Sequence, residues 1–512
     1  MTFEKSGKMT REEKWQNYLS WRKQLNAYRT AIIITRLDHQ NAPSQGAAFR
    51  TEMRTVLAGE YEKLKREESM YEILASLAEE GEENDAARQK EIRLALEEME
   101  KDRAVPAEKA VAYTAVLEES IKAWLQAKAE GKTAEYKTYA PYLDALIREY
   151  KEITALRRDG AETLYDFMLD GHQPGWNRER YDAFFGEMKT RIVPLLQEIM
   201  QAEPMEERFL HQKYPADGQR IFMKRVTDYM GFTQDWGRIS ESEHPLTTPV
   251  CSGDVRISTK YREYDPAQAV FSTVHEIGHA YFSHHLDPRF EGSMIADSVS
   301  AGMNESQSRL CENHLARSQA FWDVLYPDLK AVFPEQLGGI SAEQFLRAAI
   351  AVGPSPVRTD ADEVTYPLHI LIRYELEKEM MDGALRAAEL EEAWNMKYKE
   401  YLGICPANAA EGILQDMHWP YAYFGYFPTY ALGSAAAAQI FSKMSTQIDV
   451  PACLRNGRIS EIQDWLGERI HKNGALYTLE ETIERACGEP FSAEHYFSYL
   501  EEKYRKMYGI QH

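Results

Sequence analysis

Asp265-Pro266-Ala267-Gln268-Ala269-Val270-Phe271-Ser272-Thr273-Val274-His275-Glu276-Ile277-Gly278-His279-Ala280-Tyr281-Phe282 is the stretch on which the reading of this chain turns. Asp265 suits a helix N-cap, Pro266 the first helical position, and Gln268 stands at the capping-box spacing. Residues 267–282 contain a single glycine, so the local signals predict an uninterrupted helix. At about 3.6 residues per turn, His275 and His279 leave that helix on one face, with Glu276 rotated by about 100°. Two imidazoles so spaced can ligate one tetrahedral Zn²⁺, while Glu276 reaches a metal-bound water without ligating the metal. The pattern suits metal-assisted hydrolysis.

The chain around this helix is also helical in texture. Its 29 glycines and 21 prolines among 512 residues are sparse and leave long uninterrupted stretches. From about Arg11 to Ile199, apolar residues recur three and four apart, as at Tyr61, Leu64, Tyr71, Leu74 and Leu77, which predicts amphipathic helices. Expected breaks fall at Gly81 to Asn84, Val105-Pro106, Gly131, Gly160 and His172 to Gly175. The acidic run from Glu79 to Asp85 reads as a solvated helix end without a function. Between about Phe232 and Tyr264 the texture changes: Ile239, Val250, Val255 to Ser258 and Tyr261 predict one small sheet. No linker rich in Ser, Gly or Pro separates independent units. The expectation is a mainly α fold in one domain, 1–512. It has a helical N-terminal part at 1–230, a site-bearing part at 231–435 and a helical C-terminal part at 436–512.

Charge narrows the partners. Sixty Lys and Arg against 81 Asp and Glu leave a formal charge of −21, the wrong sign for nucleic acid or an anionic membrane surface. The composition, 44% hydrophobic and 28% charged, is that of a globular protein with a large core. The longest apolar runs, Ala31 to Ile34 and Ala435 to Ala438, are too short to span a bilayer. Met1 to Lys5 lacks the apolar stretch of a secretory signal, so a cytoplasmic protein is expected. Cys251, Cys311, Cys405, Cys453 and Cys487 are widely spaced and read as reduced, mostly buried thiols.

An HExxH match alone arises by chance in roughly one of twenty or thirty chains of this size and composition. A third ligand changes those odds. The segment Met303 to Asn313 also reads as helix and offers Glu305 and Glu312, either of which could complete a His₂Glu set. The competing reading is an exposed charge, with Glu305 and Arg309 forming an ordinary i,i+4 pair.

Six motifs in order extend the argument. His244-Pro245-Leu246 is followed by Asp254-Val255-Arg256-Ile257-Ser258, then by His275 to His279 and Asn304-Glu305-Ser306-Gln307. Val357-Arg358-Thr359-Asp360-Ala361-Asp362 and Gly412-Ile413-Leu414-Gln415-Asp416-Met417-His418-Trp419 complete the series, and Gly425 to Tyr430 continues it. Over roughly residues 230–435 the chain resembles the M32 metallocarboxypeptidases, HExxH-plus-Glu zinc peptidases of the thermostable carboxypeptidase type. It departs from the family pattern at Leu246 for Phe, Ser258 for Thr, Val357 for Ile, and Asn304 for the histidine before the ligand glutamate.

The resemblance implies a large helical two-walled cleft with a small β-sheet beside the HExxH zinc site, in a homodimer. It implies that Glu305, and not Glu312, is the third metal ligand with His275 and His279. Glu276 would be the general base that activates the metal-bound water and then the acid for the leaving amine. A carboxypeptidase must hold a free C-terminal carboxylate, a task suited to an arginine fork. Arg358 is the first candidate and Arg256 the second; the competing roles are structural ion pairs with Asp362 and Asp254. His418, with Tyr423 and Tyr426, is the candidate oxyanion donor set, and His284 and His285 read as surface residues. The expected activity is zinc-dependent release of single amino acids from peptides with a free C-terminus, with Co²⁺ or Mn²⁺ as possible substitutes. The alternatives are a related helical HExxH oligopeptidase, cutting internally or releasing dipeptides, and an inactive helical scaffold.

Overall fold

The computed structural model describes residues 9–80, 85–158, 160 and 163–511. The break expected at 81–84 and the N-terminal residues 1–8 lie outside the described residues. The first part of the chain forms antiparallel helices, Arg11–Asn41, Ala47–Lys65, Glu68–Glu79, Ala86–Arg103, Ala107–Ala129, Tyr136–Arg157, Leu164–His172 and Arg178–Ile199. The first begins with a true capping box, Thr10 accepting from Glu13 N–H and Glu13 accepting in return. Two helix ends not expected from the sequence fall at Pro43 and at Arg66-Glu67. Leu74 and Leu77 are buried with Tyr18, Trp21 and Leu25 in a small N-terminal core that Met294 joins, and Tyr61, Leu64 and Tyr71 pack against it. The main core runs from Trp124 to Tyr504. Among the described residues, no helix is long and apolar enough to cross a membrane.

The expected small sheet is present, with strands β1 (Gly237–Glu241), β2 (Thr247–Cys251) and β3 (Asp254–Thr259) in the order β1-β3-β2. β1 runs parallel to β3 and β2 antiparallel to it, with Thr247 opposite Ile257 and Thr248 opposite Arg256. Pro249 is tolerated because β2 is an edge strand. The sheet packs on the helix Pro266–His284, and Thr273 Oγ1 donates to Thr259 Oγ1 at 2.8 Å to tie the two together. Asp265 caps this helix as expected by accepting from Gln268 N–H. The Gln268 side chain does not close a capping box; its Nε2 donates instead to Thr359 O at 3.0 Å.

Three helices meet at unusually short range. Pro266–His284 crosses Ala301–Arg309, which continues as a π-helical turn over Leu310–Ala316, and Pro428–Ser445 lies against Ala301–Arg309 from another side. A Cβ on Gly278 would sit 2.5 Å from Gln307 O and 2.6 Å from Ser308 Cα. A Cβ on Gly433 would sit 2.7 Å from Glu305 Cβ. These glycines are demanded by backbone proximity, since both lie inside helices where glycine otherwise costs stability. The N-terminal helices reach the same region through Trp124 Nε1, which donates to Leu414 O at 3.0 Å, and Lys128 Nζ, which donates to Gln415 O at 2.9 Å.

Gly433→Ala is therefore expected to overpack the interface and cost about 1–3 kcal/mol. Gly186, in the exposed face of Arg178–Ile199 with nothing within 4 Å of a built Cβ, should respond oppositely, Gly186→Ala gaining about 0.5–1 kcal/mol. Thermal or denaturant melting of both variants reads the two signs.

Candidate active site

The helix Pro266–His284 carries His275 and His279 on one face, and Ala301–Arg309 brings Glu305 opposite them. One ligand atom from each of the three lies within 4.8 Å of the other two. Glu305 Oε2 is 3.8 Å from His275 Nε2 and 3.6 Å from His279 Nε2. Both imidazoles are anchored through their far nitrogens. His275 Nδ1 is 2.9 Å from Glu312 Oε2, and His279 Nδ1 is 3.0 Å from Asn304 Oδ1. With acceptors at Nδ1, each ring carries its proton there and turns an Nε2 lone pair towards Glu305. Two imidazoles and a carboxylate converging in this way are a donor set that fits a divalent cation of the zinc type.

The carboxylates are buried and held by arginines. Glu305 Oε1 accepts from Arg309 Nε at 2.7 Å, so the expected i,i+4 pair and the convergence on the histidines occupy different oxygens of one group. Glu312 Oε2 also accepts from Arg309 Nη1 at 3.0 Å, and its Oε1 from Arg317 Nη2 at 2.9 Å. Burial favours the neutral acids, but Arg309 and the histidines together, joined by Arg317 at Glu312, outweigh it and hold both carboxyls below the ordinary range. Burial likewise disfavours a charged His275, yet Glu305 and Glu312 raise its pKa, whereas burial and the adjacent His275 lower that of His279. Glu276 is buried beside the histidines, its Oε2 accepting from Thr247 Oγ1 of β2 at 2.5 Å.

The far side of the site is built by the segment from Gly412 to Tyr430. Asp416 receives Arg358 through Nε at 3.0 Å and Nη2 at 2.8 Å on one oxygen, and Arg373 through Nε at 2.7 Å on the other. The partner expected for Arg358, Asp362, is occupied elsewhere: it accepts from the backbone N–H groups of Gly353, Val364 and Thr365. Arg358 Nη1 has only a 3.3 Å bond to Tyr366 OH. Arg256, by contrast, closes a fork on Asp254 at 3.0 and 2.9 Å, and no bond joins it to the histidine cluster among the described residues.

His418 is buried, with Nε2 2.9 Å from Tyr430 OH and Nδ1 without a protein partner. Burial, reinforced by Arg358 and Arg373, pushes its imidazole down to about 3, so it is neutral. Tyr426 packs on His418 with ring centres 5.7 Å apart, while Tyr423 is 46% exposed and stands at the rim. His284 and His285 are half-buried and not freely exposed. His284 stacks on Trp236 at 3.9 Å, and His285 Nδ1 lies 3.1 Å from Nδ1 of buried His471, which contacts Gln307 Oε1 at 2.9 Å. Sequence reasoning did not single out Tyr430, Tyr366, Thr247 or Arg373. Asp416 lay inside a quoted motif, where an acid two residues before His418 was a usable signal.

Comparison with known proteins agrees with this geometry. The sequence pattern described as carboxypeptidase Taq (M32) metallopeptidase matches residues 17–504. Carboxypeptidase 1 of Bacillus subtilis is 34% identical over 489 residues, covering 95% of this chain and 97% of that protein. Thermostable carboxypeptidase 1 of Thermus thermophilus is 36% identical over 427 residues, covering 80% and 82%. The crystal structure of an M32 carboxypeptidase from Deinococcus radiodurans superposes with a TM-score of 0.92 at 30% identity, covering 97% of this chain and all of that one. With helices, small sheet and His-His-Glu cluster all in place, the chain belongs to the carboxypeptidase Taq (M32) metallopeptidase family and is a metallocarboxypeptidase, a peptide hydrolase.

Proposed function

We propose that this metallocarboxypeptidase is zinc-dependent and removes single residues from peptide C-termini, with His275, His279 and Glu305 as the metal ligands. The observation that carries the reading is the convergence of three ligand atoms within 4.8 Å while both imidazole Nδ1 atoms are turned to acceptors behind them. A bound divalent cation would supply Lewis acidity to the scissile carbonyl and to an attacking water. Glu276 takes the proton from that water and returns it to the leaving amine, and Thr247 Oγ1 orients its carboxylate for both transfers. The neutral His418 imidazole and the Tyr426 phenol donate towards the oxygen on which charge develops, with Tyr423 at the rim.

Selection for a free C-terminus follows from charge. Arg358 and Arg373 share the single carboxylate of Asp416, so this buried triad carries one surplus positive charge. The Arg358 Nη1 edge, engaged only by a phenol, is the donor left for a terminal carboxylate. Arg256, bound to Asp254, is read as an outlying contributor at most. The five cysteines, all free, and the acidic balance support a cytoplasmic protein. The contacts of Trp124 and Lys128 with 414–415 support a single peptidase domain, and the homodimer rests on the family resemblance alone.

Mass spectrometry of an unblocked peptide and its C-terminally amidated twin tests direction and metal together. The expected result is a ladder of single C-terminal losses that chelator abolishes, Zn²⁺ restores and amidation prevents; internal cuts in both peptides would point to an oligopeptidase instead. Glu276→Gln should retain the metal while losing about 10²–10⁴-fold in kcat, read from zinc content and steady-state rates. Glu312→Gln and Asn304→Ala remove the groups behind the two imidazoles, and each should weaken zinc binding by about 10–100-fold in chelator competition.

A further inference from the structure

The turn from His418 to Tyr426 is held by a group outside every motif of the sequence. Glu377, on the helix Tyr366–Asp382, is fully buried and makes no ion pair among the described residues. Its carboxylate accepts from Trp419 Nε1 at 2.6 Å and from the Gly425 N–H. Burial pushes this carboxyl up to about 7, against the opposing hydrogen bonds of Gly425, Trp419 and Tyr165. Keeping an unpaired acid in a core is expensive, and an apolar residue would fill the same space without that cost. The use of the carboxylate must therefore lie in the donors that it gathers.

Those donors bracket a strained turn. Between them lies Ala422 at φ 60°, the one non-glycine residue with positive φ among the described residues. Gly425 has φ 84°, and a Cβ there would lie 2.7 Å from the Met168 backbone. The turn closes on the backbone of His418 itself, Tyr423 N–H donating to His418 O at 2.8 Å. Such a conformation persists only where its surroundings over-determine it. We propose that Glu377 is a positioning residue for the reaction: by holding Trp419 and Gly425 it sets where the His418 imidazole and the Tyr426 phenol stand relative to the metal-ligand cluster. This rests on the reading of His418 and Tyr426 as substrate-facing groups.

The test uses full-length, zinc-loaded Glu377→Gln, Trp419→Phe, the double variant and His418→Ala, with kcat, KM, zinc affinity and melting temperature measured for each. Glutamine at 377 must aim its amide N–H₂ at one of the two donors. Glu377→Gln is expected to lower kcat by about 10–100-fold, as a small misplacement of catalytic groups does, with KM and zinc affinity unchanged. The double variant should lose no more than Glu377→Gln alone, because both changes break one interaction. Wild-type kcat in Glu377→Gln, independent multiplication of the two effects, or a loss that merely follows the folded fraction would overturn the proposal. If His418→Ala leaves kcat intact, the catalytic reading of the turn fails as well; if it lowers kcat while Glu377→Gln does not, only the role of Glu377 fails. Should Glu377→Gln not fold, Trp419→Phe carries the test alone, with kcat unchanged as the overturning result.

Discussion

Backbone approach across two glycines sets the site. Gly278 lets Pro266–His284 come within a hypothetical Cβ contact of 2.5 Å to Gln307 O, and Gly433 lets Pro428–Ser445 close on Glu305 from another side. Glu305 is thereby confined where its Oε2 stands 3.6–3.8 Å from both imidazole Nε2 atoms. A side chain at either glycine would push one helix outward, and a ligand set whose atoms span less than 5 Å has no slack to absorb such a shift. The glycine inside HExxH thus belongs to the geometry of the His-His-Glu cluster as much as the histidines beside it.

Confinement of this kind puts charges where water cannot reach them, and the surrounding layer is organised to offset that cost. Glu305 and Glu312 share Arg309, while Arg317 takes the remaining oxygen of Glu312. Arg309 in turn lies 3.9 Å over the Tyr366 ring. On the opposite side Asp416 binds two arginines and leaves the pair one anion short. A buried cluster with an unmatched cation is costly when empty and favours any carboxylate that enters it.

Much of this was legible, for reasons that differ from residue to residue. The helix over 266–284 announced itself through a cap, a proline and a stretch with a single glycine, all local signals. The alternation at 255–258 predicted strand, and β3 runs from Asp254 to Thr259. Partner choice was less legible, because it depends on how distant elements dock. Asp362 stood four residues from Arg358 and looked like its natural partner, but backbone N–H groups claimed it and Asp416 arrived from 58 residues away. His284 and His285 looked exposed at a helix end, yet Trp236 and His471 cover them through contacts that no local pattern encodes. Glu377 was invisible for the same reason: one of four acids on its helix, it gives no hint of the turn that it gathers.

Asn304, a departure from the family pattern, still places a hydrogen-bond acceptor behind His279. A histidine at this position would offer either a donor or an acceptor to His279, depending on its tautomer. An asparagine with Oδ1 towards Nδ1 can only accept, so it fixes the proton on Nδ1 and leaves the Nε2 lone pair free. The flipped amide would donate to Nδ1 and move the imidazole proton to Nε2, where it would face Glu305 and block ligation. A metal held by His279 Nε2 would therefore select one amide orientation. The two histidines nevertheless remain unequal: His275 leans on the charged Glu312 and His279 on a neutral amide, which makes His275 the more electron-rich ligand. Their pKa values also move in opposite directions: burial is outweighed at His275 by Glu305 and Glu312, whereas burial and the neighbouring His275 lower that of His279.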